Sequence, residues 1–182
     1  AAILLGAVAT ACSGGGSSSK AAPRVAVPKG ATSDPNRLLD TQWALQSVQD
    51  ERGRALLTIR ADGPSPGVVA FPYRGSGLPH PLTTASGPKP IPRFSWEVCS
   101  HGTGPLRASK GTIDTKQIVV TRGWCGGQYP YMANRPAAQA GFTDVLTNRS
   151  HRVVWFVDES GHLHLVSPFD GESLIFGQSM HG

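Results

Sequence analysis

Apolar and polar residues alternate in short runs along most of the chain, and the runs are separated by Gly, Pro, Asp and Ser. Leu39 to Gln49 carries Trp43, Leu45 and Ser47 on one parity, which predicts a first strand with Trp43 anchored in the core. After a turn at Glu51-Arg52-Gly53, Leu56-Leu57-Thr58-Ile59-Arg60 predicts a second strand, and a short one is expected around Val68 to Tyr73. Phe94-Ser95-Trp96-Glu97-Val98 alternates and leads into Cys99. Thr112-Ile113-Asp114 and Gln117-Ile118-Val119-Val120-Thr121 are β-rich runs leading toward Cys125. Only residues 136 to 148 favour a helix, with Pro136 in its first turn and Phe142, Val145 and Leu146 at i, i+3 and i+4 on one face. A hairpin follows: Arg152 to Val157, the turn Asp158-Glu159-Ser160-Gly161, and His162 to Val166. A last strand, Glu172 to Phe176, comes after Phe169-Asp170-Gly171. The order meander, helix, meander predicts an α+β domain, mainly antiparallel β, in which one helix packs against or plugs a curved sheet.

The first residues break this pattern. Ala1 to Ala11 carries no charge and ends on small residues, followed at once by Cys12. Eleven residues at about 1.5 Å each are too short to cross a hydrocarbon core of about 30 Å, so residues 1–11 read as the apolar part of an export signal. No Met or basic stretch precedes them, so the chain is expected to begin part-way through that signal. Ala9-Thr10-Ala11-Cys12 resembles a bacterial lipobox, with Ala9 where Leu is preferred, and the resemblance implies diacylglycerol on Cys12. The Gly/Ser run from Ser13 to Ser19 suits a flexible tether, taken here as residues 12–37. An ordinary secretory signal with an incidental cysteine is the other reading.

The chain has three cysteines, and lipid on Cys12 would leave Cys99 and Cys125 as a pair in an oxidising compartment. Their bridge would close a loop of about 27 residues and contribute roughly 3 to 4 kcal/mol in the chain-entropy model. Two buried free thiols on neighbouring strands are the alternative. Length leaves room for one domain, residues 38–178, in which the Pro-rich stretch 62–92 reads as a long loop or insertion, because proline lacks a ladder donor. The net charge of +5 comes from twelve Arg and five Lys scattered without a motif, which argues against nucleic acid as a partner. Lys20, Arg24, Lys29 and Arg37 near the anchor would suit an anionic lipid surface, or be simply solvated.

Four short motifs occur in order: Trp43-Ala44-Leu45; Cys99-Ser100-His101-Gly102-Thr103-Gly104; Thr121-Arg122-Gly123-Trp124-Cys125; and Leu163-His164-Leu165 with Asp170-Gly171-Glu172-Ser173-Leu174-Ile175-Phe176. With them the stretch from Trp43 to Phe176 resembles a META domain, the family of HslJ-like lipoproteins. Val98-Cys99-Ser100 departs from the Gly-Cys-Asn usual there, and the 62–92 stretch is longer and richer in Pro. The resemblance implies a small, partly open β-barrel-like domain, often exported and lipid-anchored, linked to envelope stress or antibiotic tolerance. It carries no catalytic residues over.

The search for chemistry finds no nucleophile elbow, phosphate loop, Cys-x-x-Cys or His-Glu-x-x-His. His162 and His164 share a strand face and are a weak metal candidate, with Asp158 and Glu159 as nearby carboxylates; a solvent-facing polar alternation explains them equally. Glu97 and His101 flank Cys99 and would activate a thiol there, were it free of a disulfide. Trp96, Trp124, Tyr129 and Tyr131 are candidates for a ligand surface near the cysteine pair, against core packing as the commoner role. Asn148-Arg149-Ser150 matches a glycosylation acceptor or an accident of the helix end. The expectation is a noncatalytic binding or scaffolding lipoprotein at the extracytoplasmic face of a cell membrane, without cofactor, whose partner is an envelope protein, lipid or apolar ligand. An envelope enzyme or metal-binding protein using His162 and His164 is the alternative.

Overall fold

The computed structural model describes residues 25–60, 63–71, 93–109, 111–121, 123–125 and 133–179. Cys12, the signal, the Gly/Ser run, Tyr129 and Tyr131 lie outside the described residues. A short 3-10 helix, Pro35–Arg37, is followed by β1 (Thr41–Gln49), β2 (Ala55–Thr58), β3 (Val68–Phe71), β4 (Arg93–Glu97), β5 (His101–Pro105), β6 (Ala108–Ser109), β7 (Thr112–Asp114) and β8 (Val119–Thr121). Helix α1 (Arg135–Leu146), β9 (Arg152–Val157), β10 (Leu163–Val166) and β11 (Ser173–Gln178) complete the domain. All described strands belong to one sheet in the order β6-β7-β9-β10-β11-β1-β3-β4-β5-β8, with β2 paired to β1 beside that path. Every ladder is antiparallel. The domain is therefore α+β and mainly antiparallel, a curled half-barrel with one helix among the described residues.

β1 is the strand on which the curl is built. One edge pairs with β11 along most of its length, while the other is shared by β3 near Thr41 to Ala44 and β2 near Ser47 to Gln49. A register shift between Leu45 and Ser47 changes which residues face the core. Trp43 and Leu45 point inward as the alternation predicts, but Val48 takes the next core position in place of Ser47.

The inner face is apolar and aromatic. Phe71, Phe94 and Trp96 form a stacked series with ring centroids 6.2 and 6.1 Å apart, and all three are buried. Helix α1 buries Ala138, Gly141, Phe142, Val145 and Leu146, an i, i+3, i+4, i+7, i+8 stripe. Phe142 meets Phe176 of β11 edge-on at 5.7 Å. Gly141 permits this close approach: a Cβ there would lie 2.7 Å from a Val48 methyl and 3.2 Å from one of Leu174.

The last turn of α1 feeds β9 through Asn148. Its side-chain amide donates to the carbonyls of Val145 (2.6 Å) and Arg152 (2.8 Å), and its side-chain oxygen accepts from the Ser150 amide and hydroxyl. Asn148 is buried, so the sequence match to a glycosylation acceptor is a helix-end device.

Val68–Phe71 is the short strand expected within the Pro-rich segment 62–92, and it lies inside the sheet between β1 and β4. One stretch differs from the sequence expectation. Residues 25–37, expected as tether, run onto the domain: Thr32 and Val157 exchange backbone hydrogen bonds at 2.9 and 2.8 Å, and Leu38 is fully buried.

Gly102 stands opposite Trp96 in the β4–β5 register, and the indole covers it: an added Cβ would lie 1.9 Å from the ring. Elsewhere in a strand, Gly→Ala gains about 0.5 to 1 kcal/mol in backbone entropy. Here overpacking, worth typically about 1 to 3 kcal/mol, dominates. Gly102→Ala is expected to lower the urea midpoint and shift Trp fluorescence; an unchanged or raised midpoint contradicts the packing described.

Candidate functional site

A cleft of ≈ 330 Å³ opens beside the cysteine pair. Its floor is the outer face of three strands, because alternate residues of β1, β3 and β4 that do not enter the core must point outward. Gln42 stands opposite Ala70, Ala70 opposite Ser95, Val68 opposite Glu97, and Glu97 opposite His101 of β5. Pro66, Gly67 and Val98 form the end wall, and Arg135, the first residue of α1, reaches in from the helix.

Three ties hold this end of the domain. Cys99 and Cys125 are joined by a disulfide with Cα atoms 4.9 Å apart. Gly123 lets the backbone leading to Cys125 pass over Cys99, whose carbonyl oxygen would lie 1.4 Å from any Cβ there. Gln139 of α1 accepts hydrogen bonds from the amides of Cys99 (3.4 Å) and Ser100 (3.0 Å), which fixes the helix start relative to the β4–β5 turn.

Of the polar side chains in the cleft, Ser65 spends its hydroxyl on the carbonyls of Leu45 and Gly67, and five others are unspent. Those of Gln42, Ser95, Glu97, His101 and Arg135 make no hydrogen bond or ion pair among the described residues, and Arg135 Nε is buried without a partner. The sequence singled out Glu97 and His101 only as neighbours of Cys99. The structure makes them cross-strand partners facing the cleft, while the Cys99 sulfur is consumed in the bridge. Gln42, Ser95 and Arg135 gave no signal, since single polar residues at alternate positions look like any outward face.

The aromatic candidates divide. Trp96 is a core residue at 2% exposure, its ring lying over Gly102, and it also borders the cleft. Trp124, next to the disulfide, is 84% exposed.

The β9–β10 hairpin carries the second cluster. Asp158 Oδ1 accepts from the His162 amide at 2.9 Å, closing the turn in which Gly161 has φ +81°. Oδ2 lies 2.9 Å from His164 Nε2 and 3.4 Å from His162 Nδ1. The His164 ring stacks on Phe156, with centroids 4.6 Å apart. Glu159 turns instead toward Gly30 of the N-terminal segment. Both imidazoles thus spend a ring nitrogen on one carboxylate oxygen, and no group of three His, Cys, Asp or Glu side chains among the described residues is arranged to hold a metal ion. Beside this cluster a smaller cleft of ≈ 250 Å³ lies between Val25, Ala26 and the outer face of β10, bordered by Asp50 and Glu51.

Two carboxyls here respond oppositely to pH. Burial pushes Asp158 up, but the His164 hydrogen bond, the His162 amide and the charges of the two imidazoles outweigh it and hold Asp158 below its usual 3.8. Burial raises Glu172 above 4.5, reinforced by the negative charges of Asp144, Asp170 and Asp50. A lowered carboxyl contributes stability above its unfolded pKa that is lost as pH falls through the folded value. A raised one contributes below its unfolded pKa, and this is lost as pH rises through the folded value. Asp158→Asn should therefore lower the denaturation midpoint near neutral pH, with the gap closing as pH falls below the usual 3.8. Glu172→Gln should raise the midpoint near neutral pH, with the gain vanishing in acid. Paired urea titrations across this range check both signs.

Among the described residues no helix is long and apolar enough to cross a membrane. No family model matches the chain, and no curated protein matches it. A protein from Burkholderia xenovorans solved by NMR is similar in structure, with a TM-score of 0.51 and 18% identity over 87% of this chain and 96% of that one, a likeness of fold.

Proposed function

We propose that this chain is a bacterial cell-envelope lipoprotein, held by lipid on Cys12 at the extracytoplasmic face of a membrane, whose META-like domain binds a small polar ligand and performs no chemistry on it. The observation that carries the binding reading is the cleft lined by Gln42, Ser95, Glu97, His101 and Arg135, five side chains with hydrogen-bonding capacity and no protein partner among the described residues. Specific small-molecule sites combine apolar walls with a few convergent polar groups, and Val68, Ala70, Pro66 and Val98 supply the walls. Among the described residues no hydrogen bond links any two of Ser95, Glu97 and His101. The unpartnered polar side chains favour a polar ligand over the apolar one the sequence allowed. The metal or hydrolase alternative at His162 and His164 has less support, because Asp158 engages both rings.

The anchor is supported by Ala9-Thr10-Ala11-Cys12, and by the bridge between Cys99 and Cys125, which leaves Cys12 as the one cysteine of three without a partner in that pair. Intact mass and membrane fractionation of the full-length protein beside Cys12→Ala test it. A diacylglycerol-sized increment lost in the variant, with no free thiol at Cys99 or Cys125, is the expected result. A soluble, unlipidated wild type overturns the anchor.

A further inference from the structure

We infer that the cleft beside the disulfide takes a small zwitterion, an α-amino acid or short peptide, with its carboxylate at Arg135 and its ammonium at Glu97. The inference rests on the binding role proposed above and names the ligand class. Glu97 and Arg135 carry opposite charges into one cleft, yet they form no ion pair with each other or with any neighbour among the described residues. A ligand that carries both charges meets each of these groups with its opposite. A guanidinium cannot shed its charge, and its planar donors match a carboxylate. Leaving one of its nitrogens buried and unpaired is unfavourable in the free protein.

The remaining groups narrow the class. Gln42 and Ser95 both donate and accept hydrogen bonds, as a peptide unit or its α-substituents require. Val68, Ala70 and Pro66 give a narrow apolar strip for a small side chain. The volume of ≈ 330 Å³ lies at the lower end of small-molecule sites, which excludes a long polymer held in full. A polyanion would meet Glu97, and a purely cationic ligand would meet Arg135. A zwitterion alone satisfies both without leaving a like charge opposed.

The test uses the full-length protein in detergent micelles with three probes: alanyl-alanine, its N-acetyl derivative and its C-terminal amide. Binding is followed by calorimetry and by the NMR resonances of His101 and the Arg135 side chain. Alanyl-alanine is expected to bind, and removing either charge from the probe to weaken binding roughly ten- to hundredfold. Glu97→Gln should abolish discrimination against the acetylated probe but keep that against the amide, and Arg135→Gln the converse. An unchanged thermal midpoint of the unliganded variants shows that both remain folded. Equal affinity for all three probes, or variants that discriminate as wild type does, overturns the zwitterion assignment. If none of the three binds but a neutral sugar or inorganic phosphate shifts His101, the assignment fails while the binding role stands. If no probe of any class shifts the cleft resonances, both fail.

Discussion

The shape of this domain depends on a closure constraint set by two residues. β5 and β6 stand near opposite ends of the strand order, yet only Leu106 and Arg107 separate them in the chain. Eight steps along a flat sheet from β6 to β5 at about 4.8 Å each would put these strands almost 40 Å apart. A link of three peptide steps spans at most about 11 Å. The sheet therefore has to curl until its ends approach, although β6 and β8 share no ladder and the barrel stays partly open. Curling by this amount concentrates every inward side chain on one axis, which is why that interior is filled by rings: Trp43, Phe71, Phe94, Trp96, Trp155 and Phe176, with Phe142 inserted by α1.

Filling a narrow curl with large rings leaves some positions no room for a side chain. On β5 the inward residues are Gly102 and Gly104, covered by Trp96 and by Phe94 with Ile118. This explains what could not be read in the sequence. β5 has no apolar alternation of its own, because its core positions are occupied by rings borrowed from β4. The β9–β10 hairpin was legible because each strand supplies its own core residues and the turn residues Asp158 and Gly161 stand between them. The helix was legible from its stripe. The parity change after Leu45 was not, since a bulge depends on the partner strand, here Phe176 and Ile175 of β11.

The candidate site was harder to read than the fold, for a related reason. Its residues come chiefly from β1, β3, β4, β5 and α1, and what brings the strand residues together is ladder register. Gln42, Ala70 and Ser95 form one row across the outer face, and Val68, Glu97 and His101 form the next. Register is not encoded at any one of these positions. Glu97 and His101 could be noticed because they flank a cysteine, but their significance changes once Cys99 is bridged. The cysteine ceases to be the reacting group and becomes a tie on the turn between them.

That tie bears on how the cleft would bind. A turn carrying His101 and Ser100 would, on its own, sample many conformations, and a ligand ordering it would lose affinity to that entropy. Here the turn is held by the disulfide to Cys125, by the passage of Gly123 over the Cys99 carbonyl, and by Gln139 capturing two of its amides. The first and second ties act on the strand side, and the third couples the turn to the helix that carries Arg135 four residues earlier, one turn of α1 away. The positions of Glu97, His101 and Arg135 are thereby set before any ligand arrives. On such a frame Glu97 and Arg135, unpaired among the described residues, stay available to a third party.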